Sequence, residues 1–302
     1  TQDSAVWSAS TMLLSSAKGW KNRTLYTLKP DPANAGKFLA TLLPWNESTS
    51  TTDLPNSVLK VTTTAERLSL LRYMMGASET AQTDTSNPSG ISASRENLMG
   101  DIINSTPAII EFPLGQVPST GILKDFLTGN SSLTDKHFRL IIVGDNQGIL
   151  HGFGEVSGFN SAGLVKAAVD ELWGIIPPDV LGGLQGWRSG KIHRYQVDGS
   201  PVAYLNEQPT VNGLVDGADV LRVVFGLGKG GRSYYALSFT GNNPSSPFIK
   251  WMVRPDDSTD AAISKMGFSS STPATARVYV GSALRDVVFL TGGLSTGEVE
   301  TA

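Results

Sequence analysis

Apolar runs in this chain are short, and glycine or proline punctuates them. Three open at a Ser/Thr-Pro pair: Thr106-Pro107 before Ala108-Ile109-Ile110, Ser200-Pro201 before Val202-Ala203-Tyr204, and Thr272-Pro273 before Ala274 to Val278. Downstream of each lies a second buried-looking run that ends at glycine or just before a glycine pair: 139–144, 222–226, and 285–290 ahead of Gly292-Gly293. Two of these continue through a turn into a further run, 148–153 closed by Ser157-Gly158 and 233–239 closed by Thr240-Gly241; residues 248–253 add a last one. Each unit reads as strand, loop, strand, glycine turn, strand. Such a meander cannot bury its faces alone and must stack on neighbours, which is the logic of a β-propeller blade. The prolines are spaced 94 and then 72 residues apart. That exceeds the roughly 40–50 residues of a compact blade, so long insertions are expected between strands. A generic β-sandwich is the plainer alternative.

The pattern therefore predicts a mainly all-β fold: a β-propeller, incomplete in this chain, with a few short helices in insertions. It reads as one domain over 1–302, in units of roughly 20–160, 161–254 and 255–302. Two stretches carry helical spacing. Residues 161–176 place Leu164, Ala168, Leu172 and Ile175 on one stripe, stopped by Pro177-Pro178, and 63–75 carries Ala65, Leu68, Leu71, Arg72 and Met75. Both are expected to pack on a sheet. Polar, turn-rich stretches at 46–58, 77–93 and 255–262 read as surface loops.

Composition agrees. Of 302 residues 32 are glycine, hydrophobics make up 40% and charged residues 17%. Few charges and many turn formers suit a β-rich core. The net charge of -3 gives no field to attract nucleic acid or anionic lipid. With no cysteine, disulfides, thiolate catalysis and Cys-based zinc or iron–sulfur sites are out. No run of about 18 apolar residues marks a membrane span. Thr1-Gln2-Asp3-Ser4 is neither an initiator nor a signal peptide, so a processed chain or a fragment is expected.

Candidate chemistry is sparse. Gly226-Leu227-Gly228-Lys229-Gly230-Gly231 resembles a phosphate loop, but the tyrosine-rich run after it reads as a strand, so a hairpin turn is the better reading. Ser189-Gly190-Lys191-Ile192 fails as the end of a Walker motif, since Ile192 replaces Ser/Thr. His137, His151 and His193 form no metal-ligand array and read as strand or loop residues with a local hydrogen bond. Asp216 with Asp219, and Asp256-Asp257 with Asp260, lack the cadence of a calcium loop and read as solvated turns. Trp20, Trp45, Trp173, Trp187, Trp251 and Tyr234-Tyr235 are expected in core or inter-blade packing. The sequence commits to no catalytic, cofactor-binding or metal residue.

Several segments, in order, resemble the PilY/PilC-type tip-associated proteins of type IV pili. They are Gly100-Asp101-Ile102-Ile103-Asn104-Ser105-Thr106-Pro107 preceded by Ser94-Arg95; Gly144-Asp145-Asn146-Gln147-Gly148-Ile149-Leu150-His151-Gly152-Phe153 within 142–153; Glu171-Leu172-Trp173-Gly174 running to Pro177-Pro178; 193–201; the 223–237 hairpin; and 266–273. Residues 23–27 and 71–76 fit the lead-in less tightly. The resemblance implies a propeller domain in a non-enzymatic envelope or extracellular protein at the pilus tip. Such a protein supports pilus assembly and adhesion, with pilins or minor pilins and a host or abiotic surface as partners. Some members bind calcium through an acidic loop; that loop is not found in this chain, so no cofactor is expected. The family's large N-terminal region and the C-terminal part of the propeller are both expected to be missing from this chain, so either a second chain completes the ring or the protein is longer than this sequence. Two alternatives stand beside this. One is a quinone-dependent dehydrogenase propeller, with Asp145 or Asp198 as its carboxylate; the other is a scaffold that binds peptide strands along a blade edge. Loops 46–58, 77–93 and 115–134 are the expected contact surface.

Overall fold

The computed structural model describes residues 8–13, 19–86, 88, 91–189, 193–208 and 211–293. One sheet holds β1 (Leu25–Pro30), β2 (Phe38–Pro44), β3 (Ala108–Phe112), β4 (Thr134–Gly144), β5 (Leu150–Phe159) and β6 (Val165–Ile176), in the spatial order β2-β1-β6-β5-β4-β3. Strands β3 to β6 are an antiparallel meander, and the β1–β2 hairpin joins its outer edge with β1 parallel to β6. A second meander runs through β7 (Val202–Asn206), β8 (Val220–Gly226), β9 (Tyr234–Phe239) and β10 (Pro247–Val253). A hairpin follows, β11 (Ala274–Val280) with β12 (Ala283–Phe289).

The Ser/Thr-Pro pairs at 106–107, 200–201 and 272–273 each open a first strand. Proline has no N–H to give to a ladder and a fixed φ, so it sits just outside the pairing. Register then exposes the repeat. Ala108, Val202 and Ala274 each follow their proline directly, and they pair with Ile142, Val224 and Phe289. These three partners are equivalent positions, and side chains alternate from them with period two. Phe138, Leu140 and Ile142 share one core with Leu221, Val223 and Phe225 of the second meander. Val220, Arg222 and Val224, at the places of Phe138, Leu140 and Ile142, face the other way, toward Thr275 and Val288 of the hairpin. The second meander thus gives one face to the sheet before it and the other to the sheet after it. A lone sandwich has no such third layer. The fold is mainly β and consistent with an incomplete β-propeller.

Three expectations are corrected. Residues 161–176 contain strand β6 and not a helix. Burial there alternates through Val169, Glu171 and Trp173, and a core-facing carboxylate hides that period from an apolar template. The first meander consequently runs from 108 to 176 and crosses the unit division at 160/161. The loop expected at 115–134 holds a helix, Ile122–Gly129, anchored on β5 and β6 by buried Leu123. The helix expected at 63–75 is present as Thr64–Met75. Its capping box has Glu66 N donating to Thr63 Oγ1 and Thr63 N donating to Glu66, each at 3.1 Å. Residues 226–231 form the turn between β8 and β9, with Gly228–Gly230 as a 3-10 turn. Residues 190–192 and 294–302, on which the Walker comparison and the expected missing strand fall, lie outside the described residues. Among the described residues no helix is long and apolar enough to cross a membrane.

Candidate functional site

The densest polar constellation is buried where β4 turns into β5. Asp145 closes that turn. Its Oδ1 accepts from Gln147 N at 3.1 Å and Ile149 N at 3.0 Å, and its Oδ2 from Gly100 N at 2.6 Å. His151, two residues into β5 by sequence, places Nε2 3.0 Å from Asp145 Oδ2 and Nδ1 2.7 Å from Glu171 Oε1 on β6. Glu171 in turn receives Arg23 in a two-point pair, Nε to Oε2 at 2.7 Å and Nη2 to Oε1 at 2.8 Å. Arg23 Nη1 reaches the carbonyls of Met74 and Met75 at the end of the helix Thr64–Met75. All four ionisable side chains have no solvent exposure.

The geometry decides the charge state. Both ring nitrogens of His151 face carboxylates, so both must donate, and the ring is an imidazolium. Burial by itself pulls the His151 pKa down, but Asp145 and Glu171 outweigh it and the net shift is upward. Burial pushes Glu171 up, yet Arg23 and then His151 outweigh it and hold the carboxyl far below the usual range. Arg23 is likewise raised, since Glu171 outweighs the loss of solvent. Two acids and two bases thus balance. They tie the β4–β5 turn, β6, the segment before β1 and the helix end into one knot.

A pH dependence follows. His151 holds its proton more tightly folded than unfolded, so its contribution is full below the unfolded value of 6.5 and fades as pH rises through the raised folded value. Glu171 does the reverse: its contribution is full above the unfolded value of 4.5 and is lost only in strong acid. Thermal melts between roughly pH 6 and 9 should show Tm falling on the alkaline side, with a shallower fall in His151→Gln. An equal slope in both proteins would remove His151 as the cause.

A second constellation joins the starts of successive repeats. Asn104 donates to Asp198 through its backbone N at 3.3 Å and Nδ2 at 2.7 Å. Ser105 Oγ donates to Gly199 O and accepts from Gly144 N at 3.0 Å; Ser269 Oγ accepts from Leu227 N at 2.8 Å in the next repeat. Backbones approach closely here. A Cβ on Gly144 would overlap the Val197 carbonyl oxygen, and one on Gly226 would lie 2.8 Å from Ser269 O. Gly144→Ala should therefore cost about 1–3 kcal/mol in urea denaturation, more than Gly226→Ala. A neutral Gly144→Ala would show that this contact is not tight.

The remaining sequence candidates scatter. His137 lies at the sheet surface beside Glu111, 3.2 Å from Asp135, and His193 is 2.8 Å from Asp101. Asp219 accepts from Gln208 N and Asp216 N; Asp256 pairs with Arg232 and Asp257 with Arg254; Asp260 accepts from Ala262 N and Ile263 N. Among the described residues no three His, Cys, Asp or Glu are grouped to hold a metal ion. Trp20, Trp45, Trp173, Tyr234 and Tyr235 are buried, and Trp187 packs edge-on against Tyr73. Sequence reasoning missed Arg23 and Glu171. The signal was a carboxylate inside the apolar run 169–176. Two of the expected contact loops are fastened down. Arg67 binds the carbonyls of Thr49, Ser50 and Leu54, and Arg72 those of Ala81 and Asp84.

No family model and no solved structure matches the chain. Curated relatives do. The chain is 29% identical over 194 residues to the Type IV pilus biogenesis factor PilY1 of Pseudomonas aeruginosa strain UCBPP-PA14, and 26% identical over 193 residues to that of strain PAO1. It is 26% identical over 203 residues to a PilY1 homolog of Xylella fastidiosa. Each alignment takes in 62% of this chain and 14% of the relative, so the chain spans about a seventh of their length. The resemblance to PilY-type proteins stands on these homologues.

Proposed function

We propose that this chain is a non-enzymatic β-propeller module of a type IV pilus biogenesis factor, at the pilus tip in the envelope or extracellular space. Its partners on this reading are pilins or minor pilins and a surface. The observation that carries the proposal is the similarity to PilY1-named relatives over 62% of the chain. The mechanism is geometric: a rigid stack of sheets holds a variable segment in place for contact. With 46–58 and 77–93 fastened to a helix, the contact surface is best sought at 115–134, where Lys124 and Asp125 are exposed on an anchored helix.

Neither carboxylate named for the dehydrogenase alternative is free. Asp145 and Asp198 are both buried, and both are filled by backbone or side-chain donors. Excising the segment for residues 108–293 from the chromosome of the source bacterium is expected to abolish surface pili in sheared fractions. Restoring it with Lys124→Glu and Asp125→Lys should return pili but not surface attachment. Normal piliation after excision would sink the pilus role, and normal attachment of the double variant would sink the 115–134 surface.

A further inference from the structure

The turn between β5 and β6 is apolar, where surface turns are ordinarily polar. From Val156 to Val165 the chain carries no charge. Phe159 ends β5, Val165 opens β6, and the two pair across the strands. Exposure is 38% at Phe159, 61% at Leu164 and 44% at Val165, and Ala162 is exposed between them. A single exposed apolar residue is ordinary; three at one hairpin tip form a patch.

The backbone of this turn needs little from water. Asn160 N donates to Leu164 O at 3.0 Å, and Gly163 N to Asn160 O at 2.9 Å. Asn160 Oδ1 accepts from Ala162 N at 3.0 Å and from Leu164 N at 2.9 Å. Gly163, at φ 73°, supplies the left-handed step that closes the turn on Asn160. Polar groups bonded in this way can leave water at small cost, whereas unbonded ones cannot. Two lysines stand directly behind the tip. Lys166 pairs across the strands with Gly158, and the Lys136 stem lies against the same glycine, where a Cβ would be 3.3 Å from Lys136 Cγ. Phe159 and Val165 are the adjoining pair and lie on the other face. Lys136 Nζ donates to Ser131 O at 2.7 Å, which leaves it two further donors. Asp135, the acid beside Lys136 in sequence, is 3.2 Å from His137.

We propose that the tip of the β5–β6 hairpin is a docking site for an anionic lipid surface. Phe159, Leu164 and Val165 enter the boundary between headgroups and acyl chains. Lys136 and Lys166 follow with their stems along the apolar tip and their ammonium groups at the lipid phosphates. Charge complementarity selects this occupant, since the patch is apolar at its end and cationic just behind it. The chain as a whole carries a net charge of -3 and exerts no long-range pull on such a surface, so the attraction acts only at contact and binding is weak and reversible. The geometry also sets an orientation. Strand β1 runs parallel to β6, with Thr27 opposite Ile176, so the turn at 31–37 lies at the end of the sheet away from the tip. The inference rests on this hairpin and not on the pilus assignment.

The chain has no cysteine, so a single introduced thiol takes a dye at one place. Ala162→Cys puts an environment-sensitive dye at the tip, and Ala33→Cys puts the same dye in the turn at 31–37. Each labelled chain is mixed at low salt with vesicles of phosphatidylglycerol and phosphatidylcholine in equal parts, up to about 1 mM lipid. The dye at 162 is expected to shift to the blue, and the dye at 33 to stay unchanged. Combining Lys136→Gln with Lys166→Gln should raise the lipid concentration for half-binding roughly 25-fold, about fivefold for each lysine near the surface. Vesicles of phosphatidylcholine alone should weaken binding to the same degree. Leu164→Asp should abolish the shift, with the near-UV circular dichroism of the free protein unchanged. No blue shift, an equal shift from both dyes, or an unchanged half-binding concentration after the lysine substitutions each overturns the proposal.

Discussion

Glu171→Ala is expected to destabilise the protein by about 3–5 kcal/mol, the cost of leaving a buried charge without its partner. The substitution strands two cations at once. Arg23 loses its two-point carboxylate and His151 loses one of its two acceptors, all without solvent to replace them. The loss is not the worth of the ion pair. A buried pair offsets its own desolvation only when the geometry is good, so removing both members is much gentler than removing one. Arg23→Met combined with Glu171→Leu should therefore be more stable than Glu171→Ala alone, with Asp145 still holding the imidazolium. Urea midpoints of the three proteins test this. If the double variant is as unstable as the single one, or more so, uncompensated charge is not the cause. The knot would then act through shape.

The second strands and their turns were legible because their chemistry is local. Pro107, Pro201 and Pro273 mark where pairing begins, and Gly144 and Gly226 mark where the chain must pass close to another backbone. What was not legible is what depends on contacts across the fold. Strand β6 read as a helix because Leu164, Ala168, Leu172 and Ile175 happen to fall at helical spacing, while the buried side chains are Val169 and Glu171 on one face and, past the extra residue Leu172, Trp173 on the other. Glu171 looks like a solvent-side residue until Arg23, 148 residues away, is brought to it. His151 looked like a single local hydrogen bond for the same reason. The helix Ile122–Gly129 lies between glycine- and serine-rich segments, so it looked like part of a loop; buried Leu123 anchors it on the sheet. The repeat itself was visible. The matching places of Trp173 on β6, reached from Ile142 through Gly152, and Trp251 on β10, reached from Val224 through Ala236, were not, since they pass through two ladders and a bulge in each meander.

Trp173→Ala is the other substitution with a large expected effect, about 3–5 kcal/mol. The indole fills the space between the two meanders, in one core with Phe112, Phe225 and Phe239, and the neighbouring strands are held by their ladders and cannot collapse into the void. Its N–H also satisfies Pro244 O, so truncation leaves a buried carbonyl unpaired at about 1–3 kcal/mol unless water enters. Trp173→Phe separates the two effects, because it retains most of the volume and removes the donor. The expected order of urea midpoints is wild type, then Trp173→Phe, then Trp173→Ala. The weakened contact lies between sheets and not within one, so Trp173→Ala should also loosen the coupling of the meanders. Hydrogen exchange would then rise in β9 and β10 before it rises in β4 and β5, the better-covered strands. Uniform exchange at lower midpoint would instead mean that the two sheets unfold as one unit. In that case the bonds from Asn104 and Ser105 to Asp198 and Gly199, and not this core, hold them together.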